Sequence, residues 1–166
     1  MNADAKTNRA LTPILLGGLV AGTCDLVYAV SFYGLQGVPP ARILQSVASG
    51  LLGIDSYRGG WASAVLGLAL HFLIAFGAAA FYYLASRKMT VLISRAPLFG
   101  ALYGAAIFFF LRKVVLPLSA APPFQWTALA AGTDLAVHIL FIGLPIALLV
   151  RRYGAKVEQP PLGSRL

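Results

Sequence analysis

The sequence predicts an all-α polytopic membrane protein: a four-helix transmembrane bundle with a short amphipathic helix between helices one and two. Three observations carry that reading. The 166-residue chain is 59% hydrophobic and 11% charged, with a mean hydropathy of +0.81. An average soluble domain is about 25% charged. Four apolar runs are each long enough to cross roughly 30 Å of hydrocarbon at 1.5 Å per residue. The basic residues fall between those runs rather than on one polar face, so the net charge of +8 reads as a membrane charge bias and not as a nucleic-acid surface.

The first run, 12–35, is "TPILLGGLVAGTCDLVYAVSFYGL". Lys6 and Arg9 precede it as they would a signal peptide. It is too long for a signal's apolar region and holds Asp25 in its middle, so it reads as a retained span. Cys24 is the only cysteine. It allows no intrachain disulfide and reads as a small buried residue.

The segment "PPARILQSVASGLLG", 39–53, opens on prolines that suit a helix start. About a dozen residues cannot span. Ile43, Leu44, Val47, Ala48, Leu51 and Leu52 share one face, and Arg42, Gln45, Ser46 and Ser49 the other. This predicts a helix over 40–52 lying in the interface with its polar face outward. "DSYRGG" then turns the chain, and Trp61 suits an interfacial aromatic belt.

The second run, 61–85, contains no Asp, Glu, Lys or Arg, the third covers 97–118, and the fourth 127–150. Together they make one domain over 1–153, followed by a polar, disordered tail from Gly154 with Pro160 and Pro161. With both ends cytoplasmic, Lys6, Arg9, Arg87, Lys88, Arg95, Arg151, Arg152, Lys156 and Arg165 lie inside. Arg42, Arg58, Arg112 and Lys113 lie outside. That imbalance predicts cytoplasmic N- and C-termini in the bacterial inner membrane.

Small residues let helices approach closely in lipid. Gly18 and Gly22 mark the contact face of run one, and Gly100 and Gly104 that of run three. Run two carries Ser63, Gly67, His71, Ala75 and Ala79 in a row at i+4 spacing. At 100° per residue, Asp25 falls on the Gly18–Gly22 face and His71 within the run-two row. Asp134 and His138 share a stripe of run four with Pro145. Arg112 is intermediate, and Lys113 points away and snorkels. Counted from the cytoplasmic ends, Asp25, His138 and His71 sit at roughly 16–20 Å, and Arg112 and Asp134 near 22–24 Å. Five ionisable side chains thus reach one layer.

A lone charge at mid-membrane costs at least about 2.5 kcal/mol, so these groups must pair, neutralise or reach water. Asp134 and His138 are one turn apart and their tips can touch. Three readings follow. The layer lines a wet pocket for a proton, ion or small solute. Alternatively, it is a structural network fixing helix register in a homo-oligomer or in a subunit of a larger membrane complex. In the third, His71 and His138 ligate haem b or, with the aspartates, a metal. No catalytic triad, Walker loop or Rossmann glycine set occurs, so the chain is not read as an enzyme, and no resident cofactor is expected.

"LHFLIAFGAAAFYYLA", "PLFGALYGAAIFFFLRKVVLPLSAAPPF" and "DLAVHILFIGLPIALLVRRY" resemble the YagU-like bacterial inner-membrane proteins, an uncharacterised family whose name is tied to acid resistance. The resemblance covers residues 70–153. It rests on a His opening a small-residue helix, a proline loop after the third helix, and an acid one turn before a His followed by basic residues. Those features map onto His71, Pro117, Asp134, His138, Arg151 and Arg152. The resemblance implies an inner-membrane location and a link to pH stress, and no substrate or catalytic residue. The N-terminal half departs from the family's pattern, which leaves Asp25 outside what it implies.

Overall fold

The computed structural model describes residues 3–123, 125 and 127–154, with side chains from 11 onward. Four helices are long and apolar enough to cross a membrane: Leu11–Gly34, Gly60–Lys88, Ala96–Leu118 and Ala128–Gly154. They are spans 1 to 4. The expected polar tail, including Lys156 and Arg165, lies outside the described residues apart from Gly154, as do the side chains of Lys6 and Arg9.

Helix α1 (Ala3–Gly34) holds span 1 and starts nine residues before the expected boundary at 12. Hydropathy marks where a helix meets lipid, not where its backbone hydrogen bonding begins. The short helix α2 (Pro40–Leu52) has the expected bounds and leads through a 3₁₀ turn, Gly53–Arg58, into α3 (Gly60–Lys88). Gly53 and Gly60 take φ of 61° and 57° at the two bends, a region side chains disfavour. A short helix α4 (Val91–Ser94) leads to span 3.

Spans 3 and 4 are not regular α-helices throughout. Span 3 is α5 (Ala96–Phe110), a π-helical stretch Leu111–Val115, and α6 (Leu116–Leu118). Span 4 is α7 (Ala128–Val137), a π stretch His138–Gly143, α8 (Leu144–Leu149), and a closing π stretch Val150–Gly154. The first two π stretches each end two residues before a proline, Pro117 and Pro145. A proline offers no N–H and its ring collides with the carbonyl four residues back. A widened turn just before it relieves both problems without breaking the helix.

Span 1 lies between spans 2 and 4, and span 3 packs on the other side of span 4. Gly17 marks the three-helix junction, where a Cβ would stand 3.4 Å from Ala79 and 3.7 Å from Ile146. The core continues through Ala21, Tyr82, Ala96, Ala147 and Val150. Spans 2 and 3 meet through tyrosines. Tyr103 Oη donates to the Ala78 carbonyl at 2.7 Å, and its ring lies 4.9 Å from that of Tyr82. The outward surface is apolar, with Val65, Leu73, Phe81, Leu102, Phe110 and Leu140 exposed. Such a surface is apolar enough to sit in a lipid bilayer.

Helix α2 lies against the start of span 2 with its small and polar side inward. Gln45 and Ser49 are buried together with Ile43 and Ala48, while Leu51 and Leu52 are exposed. This reverses part of the expected facing. The reason is local: Gln45 Nε2 donates to the Gly60 carbonyl at 2.9 Å, and Gly67 accepts the α2 backbone at Leu44. The Leu44 contact falls at Gly67, about 10 Å along α3 from its first residue, while Gln45 reaches back to that first residue. The Ala120 N–H donates to the Gly50 carbonyl at 3.0 Å, which ties α2 to the loop after span 3.

Candidate functional site

The site begins with the glycines of span 1. A Cβ at Gly18 would fall 2.8 Å from the Phe76 Cα, and one at Gly22 would fall 2.9 Å from the Phe72 ring. Their absence lets spans 1 and 2 approach until His71 reaches across. Its Nε2 lies 2.8 Å from the Gly22 carbonyl oxygen. A carbonyl only accepts, so Nε2 carries the proton and Nδ1 is the variable nitrogen. That Nδ1 lies 3.9 Å from Asp25 Oδ2, with the two side chains 14% and 24% exposed. When both are unprotonated at these atoms, two acceptors face each other. One proton resolves this, as imidazolium against carboxylate or as imidazole against carboxylic acid. The separation exceeds a direct hydrogen bond, so transfer requires a small side-chain rotation or a bridging water.

One turn further along α1, Tyr28 faces span 4. Its phenol oxygen lies 2.7 Å from Asp134 Oδ1 and 2.8 Å from Thr133 Oγ1. Asp134 is 8% exposed. The phenol has one hydrogen, so these contacts are satisfied in sequence. With Asp134 ionised, Thr133 donates to Tyr28 and Tyr28 donates to the carboxylate. With Asp134 protonated, each donor can reverse, and Thr133 closes the chain on the Leu129 carbonyl at 2.9 Å. The arrangement can accommodate either charge state.

His138 does not meet the Asp134 carboxylate, contrary to the expectation of touching tips. Its Nδ1 bonds to the Asp134 main-chain carbonyl at 2.8 Å. Tyr28 has the acid, and the His138 ring turns back onto the main chain of its own helical turn instead. The His138 ring meets the buried Phe108 ring edge-on at 5.5 Å. Above it, the Arg112 guanidinium stands 5.6 Å from the Phe108 centroid. Asp134 lies within electrostatic reach of His138, Asp25 and Arg112, and Tyr33 within reach of both aspartates. Lys113 is exposed.

The packing glycines divide by partner. Gly18 and Gly22 serve span 2, while Gly100 and Gly104 receive the span 4 backbone at Gly143 and His138. Gly67 receives α2 rather than another span. Sequence reasoning missed Tyr28 and Thr133. The signal for Tyr28 was present, since it is three residues from Asp25 and shares its face.

Among the described residues, no three His, Cys, Asp or Glu side chains converge on a point that could hold a metal. Haem ligation by His71 Nε2 would first require breaking its bond to Gly22. Comparison with protein-family models, curated proteins and solved structures finds no match to this chain. Its class, a multi-pass helical membrane protein, therefore rests on its own residues.

Proposed function

We propose that this is an inner-membrane protein that binds and passes protons through its intramembrane polar layer, with both termini cytoplasmic. The bond from His71 to Gly22 carries the proposal, because it leaves Nδ1 as the only variable nitrogen and turns it toward Asp25. The reversible Thr133–Tyr28–Asp134 chain, one turn away along α1, supports it. Arg87, Lys88, Arg95, Arg151 and Arg152 are all exposed at one end of the bundle, which supports the orientation. A role in pH stress accords with the resemblance to the YagU-like proteins.

A purely structural layer is the second reading, and the hydrogen bonds that link Tyr28, Thr133 and Asp134 favour it. Proteoliposomes holding a pH-sensitive dye separate the two. Under an imposed pH gradient and membrane potential, the wild type should acidify the lumen. Asp25→Asn and His71→Gln should abolish that flux while retaining most of the thermal stability. Absent wild-type flux, or unchanged flux in both variants, would leave the structural reading standing.

A further inference from the structure

We propose that the crevice between spans 3 and 4, at the end of the bundle that carries α2, binds one anionic phospholipid. Its phosphate would sit between Arg112 and Lys113, and one acyl chain would run along Phe109 and Leu135. This does not depend on the proton reading.

Two grooves of about 400 and 360 Å³ adjoin there, and both are lined by Arg112 and Lys113. One continues over Pro117 and Ser119 at the end of span 3. The other continues between the spans over Phe109, Gly132 and Leu135. The first is the polar arm and the second the apolar arm of a single feature. The described residues lining either arm include no carboxylate. Both basic residues belong to the π stretch Leu111–Val115.

Charge selects the occupant. Two adjacent cations repel, and both stand at the end of the bundle with fewer basic residues, against the usual bias. A phosphodiester meets both: the guanidinium offers paired N–H donors and the ammonium a mobile point charge. The apolar arm favours a lipid over a soluble anion. Phe109 is 51% exposed beside it, and a Cβ built at Gly132 meets nothing within 4 Å. That open strip, at a depth where bilayer chains lie, suits a hydrocarbon tail. Because Arg112 is also within electrostatic reach of Asp134, an occupying phosphate would alter the field in the polar layer.

The test uses the full chain in neutral detergent, titrated with phosphatidylglycerol or phosphatidylcholine and read by native mass spectrometry and thermal unfolding. One phosphatidylglycerol per chain should be retained and should raise the melting temperature, with phosphatidylcholine retained weakly. Lys113→Gln, at an exposed position, should weaken retention about fivefold, the effect of removing one basic residue near an anionic lipid. Gly132→Leu should fill the apolar arm and weaken retention without lowering the melting temperature of the lipid-free protein. Equal retention of the two lipids, or wild-type retention by both variants, would overturn the proposal. So would full displacement by millimolar inorganic phosphate, which would make this a soluble-anion site.

Discussion

The Tyr28 phenol on span 1 lies 2.7 Å from the Asp134 carboxylate on span 4, joining helices more than a hundred residues apart in sequence. The bond gives a nearly buried acid a neutral donor that stays useful when the acid gains a proton. Tyr28→Phe removes the donor and keeps the ring. It should cost about 0.6–2 kcal/mol, the range for polar contacts between membrane helices. Asp134→Asn should cost a similar amount, and the double variant less than the sum. Reversible unfolding in mixed micelles measures all three, and strict additivity would show that the contact contributes no coupling.

Spans 3 and 4 meet backbone to backbone at Gly104, where a Cβ would press on the His138 and Ile139 main chain. Gly104→Ala should therefore push the helices apart and lower the melting temperature clearly. Gly132→Ala has open space around it and should be neutral or slightly stabilising, since alanine is the better helix former by about 1 kcal/mol. Matching effects from the two changes would contradict the packing described.

The facing of α2 can be read by thiol labelling in detergent micelles after Cys24 is replaced by alanine. Ser49 is 2% exposed against span 2, whereas Ser46 is exposed. A cysteine at 46 should react quickly and one at 49 slowly. Adding Gly67→Leu should lift α2 off its seat and make position 49 reactive. Fast labelling at 49 in the parent would restore the polar-side-out orientation.

Ser56 Oγ is buried with no hydrogen-bond partner among the described residues, while the neighbouring Ser63 Oγ donates to the Ser56 carbonyl at 2.6 Å. Removing the first hydroxyl costs no bond and removing the second does. Ser56→Ala should leave stability unchanged or raise it by up to about 1 kcal/mol, and Ser63→Ala should lower it by about 1 kcal/mol. Thermal unfolding distinguishes the two signs directly.

Much of the architecture is legible in composition and spacing. Apolar runs mark the spans because only a hydrogen-bonded helix can carry its backbone through hydrocarbon. Gly18, Gly22, Gly100 and Gly104 mark close approach because nothing larger fits there. Helical spacing puts Asp25 and His71 on inward faces at similar depth, and the fold sets them 3.9 Å apart. Less legible is anything that depends on which neighbour arrives first. Asp134 had a candidate partner one turn away in His138, yet Tyr28 from another span bonds its carboxylate.

By itself, then, the sequence determined the solvent: four apolar runs, sparse charge and glycine rows leave a helical bundle in lipid as the consistent outcome. Tertiary structure alone decided the partners. Gly67 receives α2 rather than a span, Gln45 and Ser49 turn inward, and Pro117 and Pro145 follow widened turns instead of breaks. Hydropathy is a sum over single residues and survives without a fold. A hydrogen bond needs two particular atoms within about 3 Å, and across spans only the packed bundle supplies that.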